Sequence, residues 1–301
     1  MEKIKIDLVI VTYNPNLELL SNLIKSIQSQ VRNIYIIDNT ESKHIYLNNI
    51  ENIENIEIIQ LNVNMGIAYA QNIGLKKALD NKADYIMLSD QDTTYPDNYV
   101  YDMLKALNYS DNIAAVVPLF KDINQNKNND GFIVKNKKFG TKKIYPVKGY
   151  FEVFQAIASG KIIVSKYLNY IGLMDEFLFI DYVDLEWCWR AQKNNFKIIG
   201  NADVTITHKL GDDIVSIGNK EITLRSPIRH YYMVRNSLYL SLTCKSLDFT
   251  RRLFLFFRSF YLMIGFSVLS KPHLVHFKYT FQGIIDGLNK KIGKYEGNIN
   301  D

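Results

Sequence analysis

Two carboxylates one residue apart, Asp90 and Asp92, are the part of this sequence best suited to chemistry. They directly follow the apolar run 85–88, which predicts a buried strand with the two acids just past its carboxyl end. Open α/β sheets bind ligands at that edge, and oxygen ligands there suit a Mg²⁺ or Mn²⁺ ion that bridges to a diphosphate. The alternative is a strand followed by an Asx turn, and the spacing alone favours neither interpretation.

Other polar residues also stand at the carboxyl ends of predicted strands or at the start of a predicted helix. A sheet would gather them in one crevice beside the acid pair. An acid there can accept a base N–H, backbone groups can hold a ribose, and the N–H groups of a helix start suit an anion. Taken singly, each is an ordinary turn residue; together with the acid pair they fit a nucleotide-diphosphate site. They are Thr12, Tyr13, Asn14, Asp38, Asn64, Gly66 and Asn72.

A second acidic cluster, formed by Asp181, Asp184 and Glu186, lies among aromatic residues in the run 179–190. If a helix begins near Asp184, acids in its first turn would favour the macrodipole. That interpretation does not explain why three acids are embedded among so many apolar residues. Partial burial would raise the pKa of a carboxylate there and make it a better base toward a hydroxyl.

Strands and helices alternate through the first half of the chain. This order predicts an α/β fold with a mostly parallel central sheet flanked by helices. The Asn- and Lys-rich stretch 121–143 predicts a loop or a weak hairpin, and the chain becomes helical beyond about residue 227. The predicted strands are 6–11, 34–37, 56–59, 85–88 and 114–117, and the predicted helices are 17–31, 67–79 and 96–107.

Several of these motifs together resemble the large family two of inverting nucleotide-sugar glycosyltransferases, which have the GT-A fold with a Rossmann-like nucleotide-binding half. Within that family the motifs are most similar to bacterial rhamnosyltransferases of polysaccharide assembly. They run in order from the first strand to about residue 240. The motifs are 11–15 (VTYNP), 36–39 (IIDN), 64–74 (NMGIAYAQNIG), 88–93 (LSDQDT), 159–160 (SG), 179–190 (FIDYVDLEWCWR), 208–211 (HKLG) and 229–236 (RHYYMVRN).

The resemblance implies a donor site at the strand ends. Asp92 would coordinate the cation, and Asp90 would lie near the ribose or the metal. Asp38 would contact the thymine or uracil ring, while Thr12 and Asn14 would line the nucleoside pocket.

The resemblance also implies a base and a further metal ligand. Family members carry an acidic base followed two residues later by another acid, a spacing that Asp184 and Glu186 match, so Asp184 is the expected base. Many relatives have a further acid just before the base, whereas this chain has Val183, which leaves Asp181 as a second candidate. His208 would sit near the metal or the diphosphate, although a lone histidine after a strand is more often structural.

Arg229 and Arg235 stand seven residues apart in a predicted helix. They could grip the donor diphosphate or an acceptor phosphate through charge-assisted hydrogen bonds. Alternatively, they are solvated charges on a helix whose other face is core. The sequence does not choose between the two arginines.

The implied reaction moves a sugar, with inversion, from dTDP-L-rhamnose to a hydroxyl of a lipid-linked oligosaccharide in bacterial surface polysaccharide synthesis. Another UDP- or dTDP-sugar, such as glucose, galactose or an N-acetylhexosamine, is the near alternative. A nucleotidyltransferase is more remote, because the loop 12–16 has neither the glycine nor the lysine that such enzymes use for phosphates. A non-enzymatic membrane-surface module would leave both acidic clusters without a role.

The charge of the chain divides it into two parts. Residues 225–301 hold twelve Lys or Arg against four Asp or Glu, whereas the rest holds 24 against 27. The predicted organisation is a catalytic domain, 1–226, with a nucleotide-sugar-binding half at 1–120 and an acceptor and base half at 144–226. A helical, basic and aromatic extension, 227–301, follows it.

The apolar run 253–269 of this extension is interrupted by Arg258 and flanked by further basic residues. It fits a helix at an anionic membrane surface and, equally, a helix buried against the main domain or against a second subunit of a homodimer. Nucleic-acid binding is not expected, because the basic residues alternate with long apolar runs. Two cysteines without a disulfide framework, and no apolar signal region, predict a cytoplasmic protein. The lipid-linked acceptor that the resemblance implies, together with the basic, aromatic extension, adds the expectation that it lies at the inner face of the membrane.

Overall fold

Eight strands form one central sheet in the order β3-β2-β1-β4-β9-β5-β10-β8, numbered in chain order with the bounds given below. The computed structural model describes residues 4–41, 54–122, 130–136, 140–208, 214–217, 220–223 and 225–297. Two small antiparallel sheets, β6–β7 and β11–β12, accompany the large one. The strands are β1 (Ile6–Thr12), β2 (Asn33–Asp38), β3 (Ile56–Gln60), β4 (Tyr85–Ser89), β5 (Ile113–Asp122), β6 (Phe132–Lys135), β7 (Thr141–Ile144), β8 (Tyr150–Glu152), β9 (Ile162–Val164), β10 (Lys197–His208), β11 (Ile214–Ile217) and β12 (Lys220–Thr223).

Helices cover both faces of the sheet, and three longer helices follow it. Leu8 and Ile10 of β1 belong to a core cluster that includes residues of α1 and α3, while Val9 belongs to a second cluster that includes residues of α2 and α5. A strand that is buried on both faces is the arrangement that parallel sheets require. The helices are α1 (Leu17–Ile27), α2 (Ile67–Asp80), α3 (Tyr99–Lys105), α4 (Leu168–Ile171), α5 (Val183–Lys193), α6 (Pro227–Thr243), α7 (Phe249–Leu269) and α8 (His273–Leu288).

The directions of the strands bring the polar loops together. β1 pairs in parallel with β2 on one side and with β4 on the other, so the carboxyl ends of all three strands meet at one edge. The register places Thr12 beside Asp38 at that edge. β10 pairs in parallel with β5, and His208 is its last residue.

The mostly parallel sheet predicted from the sequence is confirmed, and each predicted strand is present within one or two residues at its start. Two strands of the large sheet were missed: β9 lies antiparallel between β4 and β5, and β8 pairs antiparallel with β10 at the edge. The stretch 121–143 contributes the strand β6 and part of β7, which form a hairpin. Residues 123–129 and 137–139 of that stretch, and 209–211 of the HKLG motif, lie outside the described residues.

The helical C-terminal extension is also confirmed. Helices α6, α7 and α8 pack against one another around an apolar cluster that includes Val234, Leu262 and Ile284. Helix α6 additionally holds the segment just before α5. Asn236 and Arg235 donate hydrogen bonds to the Leu178 carbonyl at 2.9 Å each.

Candidate active site

The ends of β1 and β2 form the first wall of the site. The Thr12 hydroxyl donates a hydrogen bond of 3.0 Å to Asp38 Oδ1, and the Thr40 hydroxyl donates to the same oxygen at 2.7 Å. All three residues are buried. The Asp38 carboxylate is therefore held in one orientation at the carboxyl edge of the sheet; its contact with a base remains a prediction.

Gln91, which lies between the two acids, joins the loop after β4 to the loop after β1. The Tyr13 N–H donates to Gln91 Oε1 at 2.8 Å, and the Gln91 amide donates back to the Tyr13 carbonyl at 3.3 Å. Asn14 adopts a positive φ of 45°, and its N–H donates to the Thr40 hydroxyl. Tyr13 and Asn14 thus lie between the acid pair and the end of β2, and Gln91 is a contributor that the sequence analysis missed.

The start of α2 differs from the anion site that was expected there. Its N–H groups already have acceptors within the chain: Met65 N–H donates to Asn39 Oδ1, Gly66 N–H to Asn64 Oδ1, and Ile67 N–H to the Phe179 carbonyl. Gly66 has a φ of +87°, and a Cβ there would lie 2.6 Å from the Phe179 carbonyl oxygen. Asn64 and Gly66 therefore shape the wall between α2 and the loop before α5, and these three N–H groups do not form an anion site.

Asn72, which was predicted to belong to the donor site, has another role. Only 3% of it is exposed, and its side chain donates to the Met174 carbonyl and to Glu176 Oε1. Its Oδ1 accepts from the Met174 N–H at 2.8 Å. All of its polar atoms are thus engaged in fixing the 174–176 segment against α2, away from a ligand.

The acid pair lies in the loop after β4 and is half-buried. The Asp90 N–H donates to Ser159 Oγ at 3.3 Å. An isolated bridge pairs Thr94 with Thr207, so the end of β10 runs beside the acid loop. His208 follows directly on that strand, and its side chain lies outside what the structure describes.

The donor set fits a cation that is shared with a substrate. Among the described residues, no three His, Cys, Asp or Glu side chains form a cluster that could hold a metal ion. Mg²⁺ in proteins is commonly bound through one or two carboxylates, with phosphate and water oxygens completing its shell. Asp90 and Asp92 match that pattern and do not match a site built from protein ligands alone.

Asp184, in the first turn of α5, and Asp90, after β4, both form hydrogen bonds with the short segment 158–159. Asp184 Oδ2 accepts from the Ala158 N–H at 3.0 Å, and the next residue, Ser159, accepts from the Asp90 N–H. Asp184 Oδ1 is buried and has no hydrogen-bond partner in the described part of the chain. Burial raises the pKa of Asp184, the ammonium of Lys161 opposes that rise, and the negative charge of Asp90 adds to it.

Lys161 is a fully buried cation next to this carboxylate, and the sequence analysis did not single it out. Its Nζ donates to the Ala156 carbonyl at 3.3 Å and lies 3.7 Å from Cys188 Sγ. The same ammonium stands 5.5 Å from the ring centroid of Trp187. A buried lysine needs a compensating anion or ring face, and Asp184 and Trp187 provide these.

The other two acids of the cluster are neutralised by arginines. Arg229 donates to both oxygens of Asp181, at 2.9 and 3.1 Å. Glu186 is 7% exposed, and Arg190 binds both of its oxygens while also donating to two main-chain carbonyls. The catalytic role suggested for Glu186 is therefore corrected: this carboxylate anchors α5 through Arg190.

Arg235 is a further correction. It is 1% exposed, and its guanidinium donates to the carbonyls of Gly293 and Leu178 and to Asn236 Oδ1. Both interpretations of Arg235, a phosphate ligand and a solvated charge, are thus wrong, since every one of these contacts is internal. Arg229, whose side chain is 35% exposed, remains beside the cluster through Asp181.

The segment before α5 has an unusual backbone. Phe179, Asp181 and Tyr182 all have φ between 63° and 66°, a conformation that costs energy for residues other than glycine. Asn236 lies within hydrogen-bonding distance of the carbonyls of residues 178, 180 and 181. Arg258 of α7 donates to the Tyr182 hydroxyl at 3.2 Å. The C-terminal helices therefore hold the segment that presents Asp184.

Comparison with known proteins places this geometry in a family. The model for glycosyl transferase family 2 matches residues 7–164, slightly more than half of the chain. The dTDP-rhamnosyl transferase RfbF of Shigella flexneri is 35% identical over 237 residues, which are 77% of this chain and 78% of that protein.

Solved structures show the same fold. S. aureus TarS 1–349 in complex with UDP-GlcNAc has a TM-score of 0.59 at 18% identity, covering 94% of this chain and 81% of that one. GalNAc-T7 with UDP, GalNAc and Mn²⁺ has a TM-score of 0.58 at 13% identity; the likeness covers 90% of this chain, which spans 58% of that longer one. The GT-A fold is confirmed, and the chain belongs to glycosyl transferase family 2 and is a glycosyltransferase.

Proposed function

We propose that this glycosyltransferase moves L-rhamnose from dTDP-L-rhamnose to a hydroxyl of a lipid-linked oligosaccharide, with inversion at the anomeric carbon. The likeness to a dTDP-rhamnosyl transferase over most of both chains supports the choice of sugar donor. The observation that carries the mechanism is the placement of Asp184: one of its oxygens is fixed by Ala158, and the other is buried without a partner among the described residues. Synthesis of surface polysaccharide at the cytoplasmic face of the membrane is the setting that we infer.

The donor would bind at the carboxyl edge of β1, β2 and β4. Asp38, oriented by Thr12 and Thr40, would accept the ring N–H of thymine. Asp90 and Asp92 would hold a Mg²⁺ or Mn²⁺ ion, which when bound supplies Lewis-acid stabilisation of the departing diphosphate. Gln91 fixes the spacing between that loop and Tyr13, so the nucleoside and diphosphate subsites stay in register.

Asp184 would act as the general base. Its Oδ1 takes the proton from an acceptor hydroxyl while that oxygen forms a bond to the anomeric carbon. The bond from that carbon to the dTDP oxygen breaks on the opposite face, and its electron pair leaves with the diphosphate. A carboxylate whose pKa is raised by burial holds this proton more readily than an exposed one, and the Lys161 ammonium limits the rise so that the ionised form persists.

An acceptor would approach from the side of Leu185. A cleft of about 350 Å³ there is lined mainly by apolar side chains, including Phe120, Phe132, Ile133 and Ile157. Two of its lining residues, Ala156 and Ile157, directly precede Ala158, which binds Asp184. An apolar cleft of this size suits the less polar face of a sugar ring.

The test is a screen of slow hydrolysis in which released nucleotide is measured for dTDP-L-rhamnose, UDP-glucose, UDP-galactose and UDP-N-acetylglucosamine. We expect the fastest release from dTDP-L-rhamnose. The release should need Mg²⁺ or Mn²⁺ and should be lost in Asp92→Asn. The matched control is Asp97→Asn, an exposed aspartate five residues further on that should behave as wild type. Faster nucleotide release from a UDP-sugar would make that sugar the proposed donor. The absence of nucleotide release from all four donors would overturn the proposal.

A further inference from the structure

Helix α7 presents an apolar stripe that the rest of the chain leaves uncovered. The buried residues of α7, Leu255, Ser259, Leu262 and Phe266, share one side of the helix. Residues at spacings of three and four on the opposite side are 42% to 67% exposed. These stripe residues are Leu253, Phe257, Tyr261, Ile264 and Val268.

Helix α8 repeats this pattern beside it. The two helices are joined by residues 270–272 and pack against each other. The exposed large apolar residues of α8 are again spaced by three or four, and the rings of Phe277 and Phe281 stack with centroids 5.7 Å apart. Its stripe consists of Leu274, Phe277, Phe281, Ile285 and Leu288. We call the ten stripe residues of α7 and α8 the apolar face.

The exposed charges around the apolar face are all of one sign along the two helices. Lys278 lies between Leu274 and Phe281 at helical spacing, and Lys271 stands in the turn between the helices; both are exposed. The single carboxylate of α7 and α8, Asp286, is 2% exposed and accepts from the Tyr231 hydroxyl and from Lys291. Within α7 and α8 no carboxylate is exposed; the exposed Asp248 caps the start of α7 and pairs with Arg251 at 3.4 Å.

The contacts of α7 fix how this face can meet a bilayer. By length and composition, Phe249–Leu269 is sufficient to cross a membrane. However, Arg252 donates to the carbonyls of Ser241 and Leu242 at the end of α6, and Arg258 donates to the Tyr182 hydroxyl. A spanning orientation would break these bonds and strip α7 from its buried neighbours, whereas a helix lying flat keeps them all.

We propose that the apolar face docks flat onto the surface of a bilayer that contains anionic lipid. Aromatic and aliphatic side chains would enter the headgroup boundary while Lys271 and Lys278 meet lipid phosphates. A second copy of the chain fits less well, because self-association would bring the lysines of one face against those of the other, and lysine is depleted at interface cores. This inference deepens the membrane setting of the proposed function and rests on it in that respect, but it involves neither the donor nor the base.

Vesicle co-sedimentation of the full chain tests the proposal. We expect binding to vesicles of 70% phosphatidylcholine and 30% phosphatidylglycerol that is at least about tenfold stronger than to pure phosphatidylcholine, and weaker in high salt. Phe257→Ser with Ile264→Ser should reduce binding to both vesicle types about tenfold or more. Lys271→Gln with Lys278→Gln should reduce only the preference for anionic vesicles.

The matched control replaces exposed apolar residues elsewhere, Val147→Ser with Tyr170→Ser, and should bind as wild type. All variants change exposed side chains, so a thermal unfolding scan should show them folded. Wild-type protein that stays in the supernatant with both vesicle types would overturn the proposal. So would a dimer, measured by light scattering without vesicles, that Phe257→Ser with Ile264→Ser dissociates. Nucleotide release from a water-soluble donor is measured separately, so failure here leaves the proposed reaction intact.

Discussion

Arg229 donates to both carboxylate oxygens of Asp181, at 2.9 and 3.1 Å, so both oxygens of this acid are already engaged by a guanidinium. Asp184, three residues further on, faces no arginine in the contacts that the structure gives it. Its Oδ2 is held by the Ala158 N–H, and its Oδ1 is buried. Asp184 therefore keeps one carboxylate oxygen for an acceptor hydroxyl, and burial raises its pKa.

The first prediction assigns the base. Asp184→Asn should lower the turnover number by about 10²–10⁴-fold, the usual contribution of a general base, while the dissociation constant for dTDP stays near that of wild type. Asp181→Asn should retain most of its turnover. Single-turnover kinetics and isothermal titration with dTDP and Mn²⁺ measure the two quantities. The opposite result, an active Asp184→Asn and an inactive Asp181→Asn, would move the role to Asp181.

The second prediction concerns stability. Because burial raises the pKa of Asp184, the folded state holds this proton more tightly than the unfolded state. The stability contribution of Asp184 therefore falls as pH rises from its ordinary pKa near 4 through the raised pKa, and the ionised carboxylate destabilises the fold at neutral pH. Asp184→Asn keeps an acceptor for Ala158 and removes the charge, but in the wild-type chain it would also leave the Lys161 ammonium without its anion. In the Lys161→Met background, where this buried ammonium is removed, Asp184→Asn should therefore raise the Tm at pH 7.5 by about 2–4 °C.

Thermal unfolding across pH checks this expectation, and the gain should shrink toward pH 4. The control is Asp203→Asn, because Asp203 is an exposed aspartate that likewise accepts from a main-chain N–H, that of Gly149. An equal rise in Tm in both variants would show that the effect is not specific to the buried carboxylate.

The third prediction tests the buried cation. Lys161→Met keeps most of the side-chain volume and removes the ammonium that opposes the rise in the pKa of Asp184. Since the base must be ionised to accept a proton, activity rises with pH through this pKa. The acid limb of the pH–rate profile should move to higher pH in Lys161→Met, so the loss of activity is larger at pH 6 than at pH 9. Lys166→Met, at an exposed position on the same segment, should leave the limb unchanged. A uniform loss at every pH would indicate a packing role alone.

The sequence predicted the elements that follow local rules. Apolar runs bounded by polar turn residues defined β1, β2, β3 and β4, and their parallel pairing placed Asp38 and the acid pair at one edge. Strand β9 was not predicted, because a run of three apolar residues indicates neither a strand nor its direction. Its antiparallel insertion depends on pairing with strands that are distant in the chain.

The errors at the site have a common physical origin. Arg235 was interpreted from its charge, but its carbonyl partners at residues 178 and 293 are each more than 50 positions away. The side chain of Asn72 is likewise hydrogen-bonded to the segment around Met174, 102 positions further on. Lys161 stood unnoticed at the start of an apolar run, and only the tertiary structure reveals that it faces Asp184. Partners of buried polar groups are set by the fold, and no local pattern records them.

The fourth prediction concerns the segment before α5. Asn236 holds the carbonyls of residues 178, 180 and 181, and so maintains three adjacent or near-adjacent residues at positive φ. Asn236→Ala removes the side-chain donor to the part-buried carbonyls of residues 180 and 181 and the buried acceptor of Arg235 Nε, whereas the Leu178 carbonyl keeps its bond from Arg235. These losses should lower the free energy of unfolding by about 1–3 kcal/mol. It should also lower the turnover number, because Asp184 loses its fixed position. Asn194→Ala, which removes an exposed amide that caps the Arg190 carbonyl, serves as the control. Denaturant unfolding and steady-state kinetics measure both effects; unchanged turnover in Asn236→Ala would separate the segment from catalysis.

The fifth prediction arises where the three C-terminal helices meet. His230 Nε2 accepts from the Arg225 N–H, so its proton is on Nδ1, which donates to His276 Nδ1 at 2.9 Å. The His230 ring also stacks on Phe266 at 3.6 Å between centroids. Burial lowers the pKa of His230 to about 3, and burial likewise lowers the pKa of His276.

A lowered histidine pKa costs the fold no stability at a pH where the histidines of the unfolded chain are also neutral. Below the ordinary histidine pKa near 6.5 the unfolded state binds protons that the folded state does not, so the contribution of this pair to the free energy of unfolding should decline from pH 7 to pH 5, opposite in sign to the contribution of Asp184. In His230→Gln the decline should be shallower, because one of the two groups no longer titrates. Urea unfolding of wild type and His230→Gln at pH 7, 6 and 5 gives the two slopes. Removing a group that titrates between pH 7 and pH 5 must change the slope of the free energy of unfolding against pH. Parallel slopes for wild type and His230→Gln would therefore mean that this buried pair does not control the acid sensitivity.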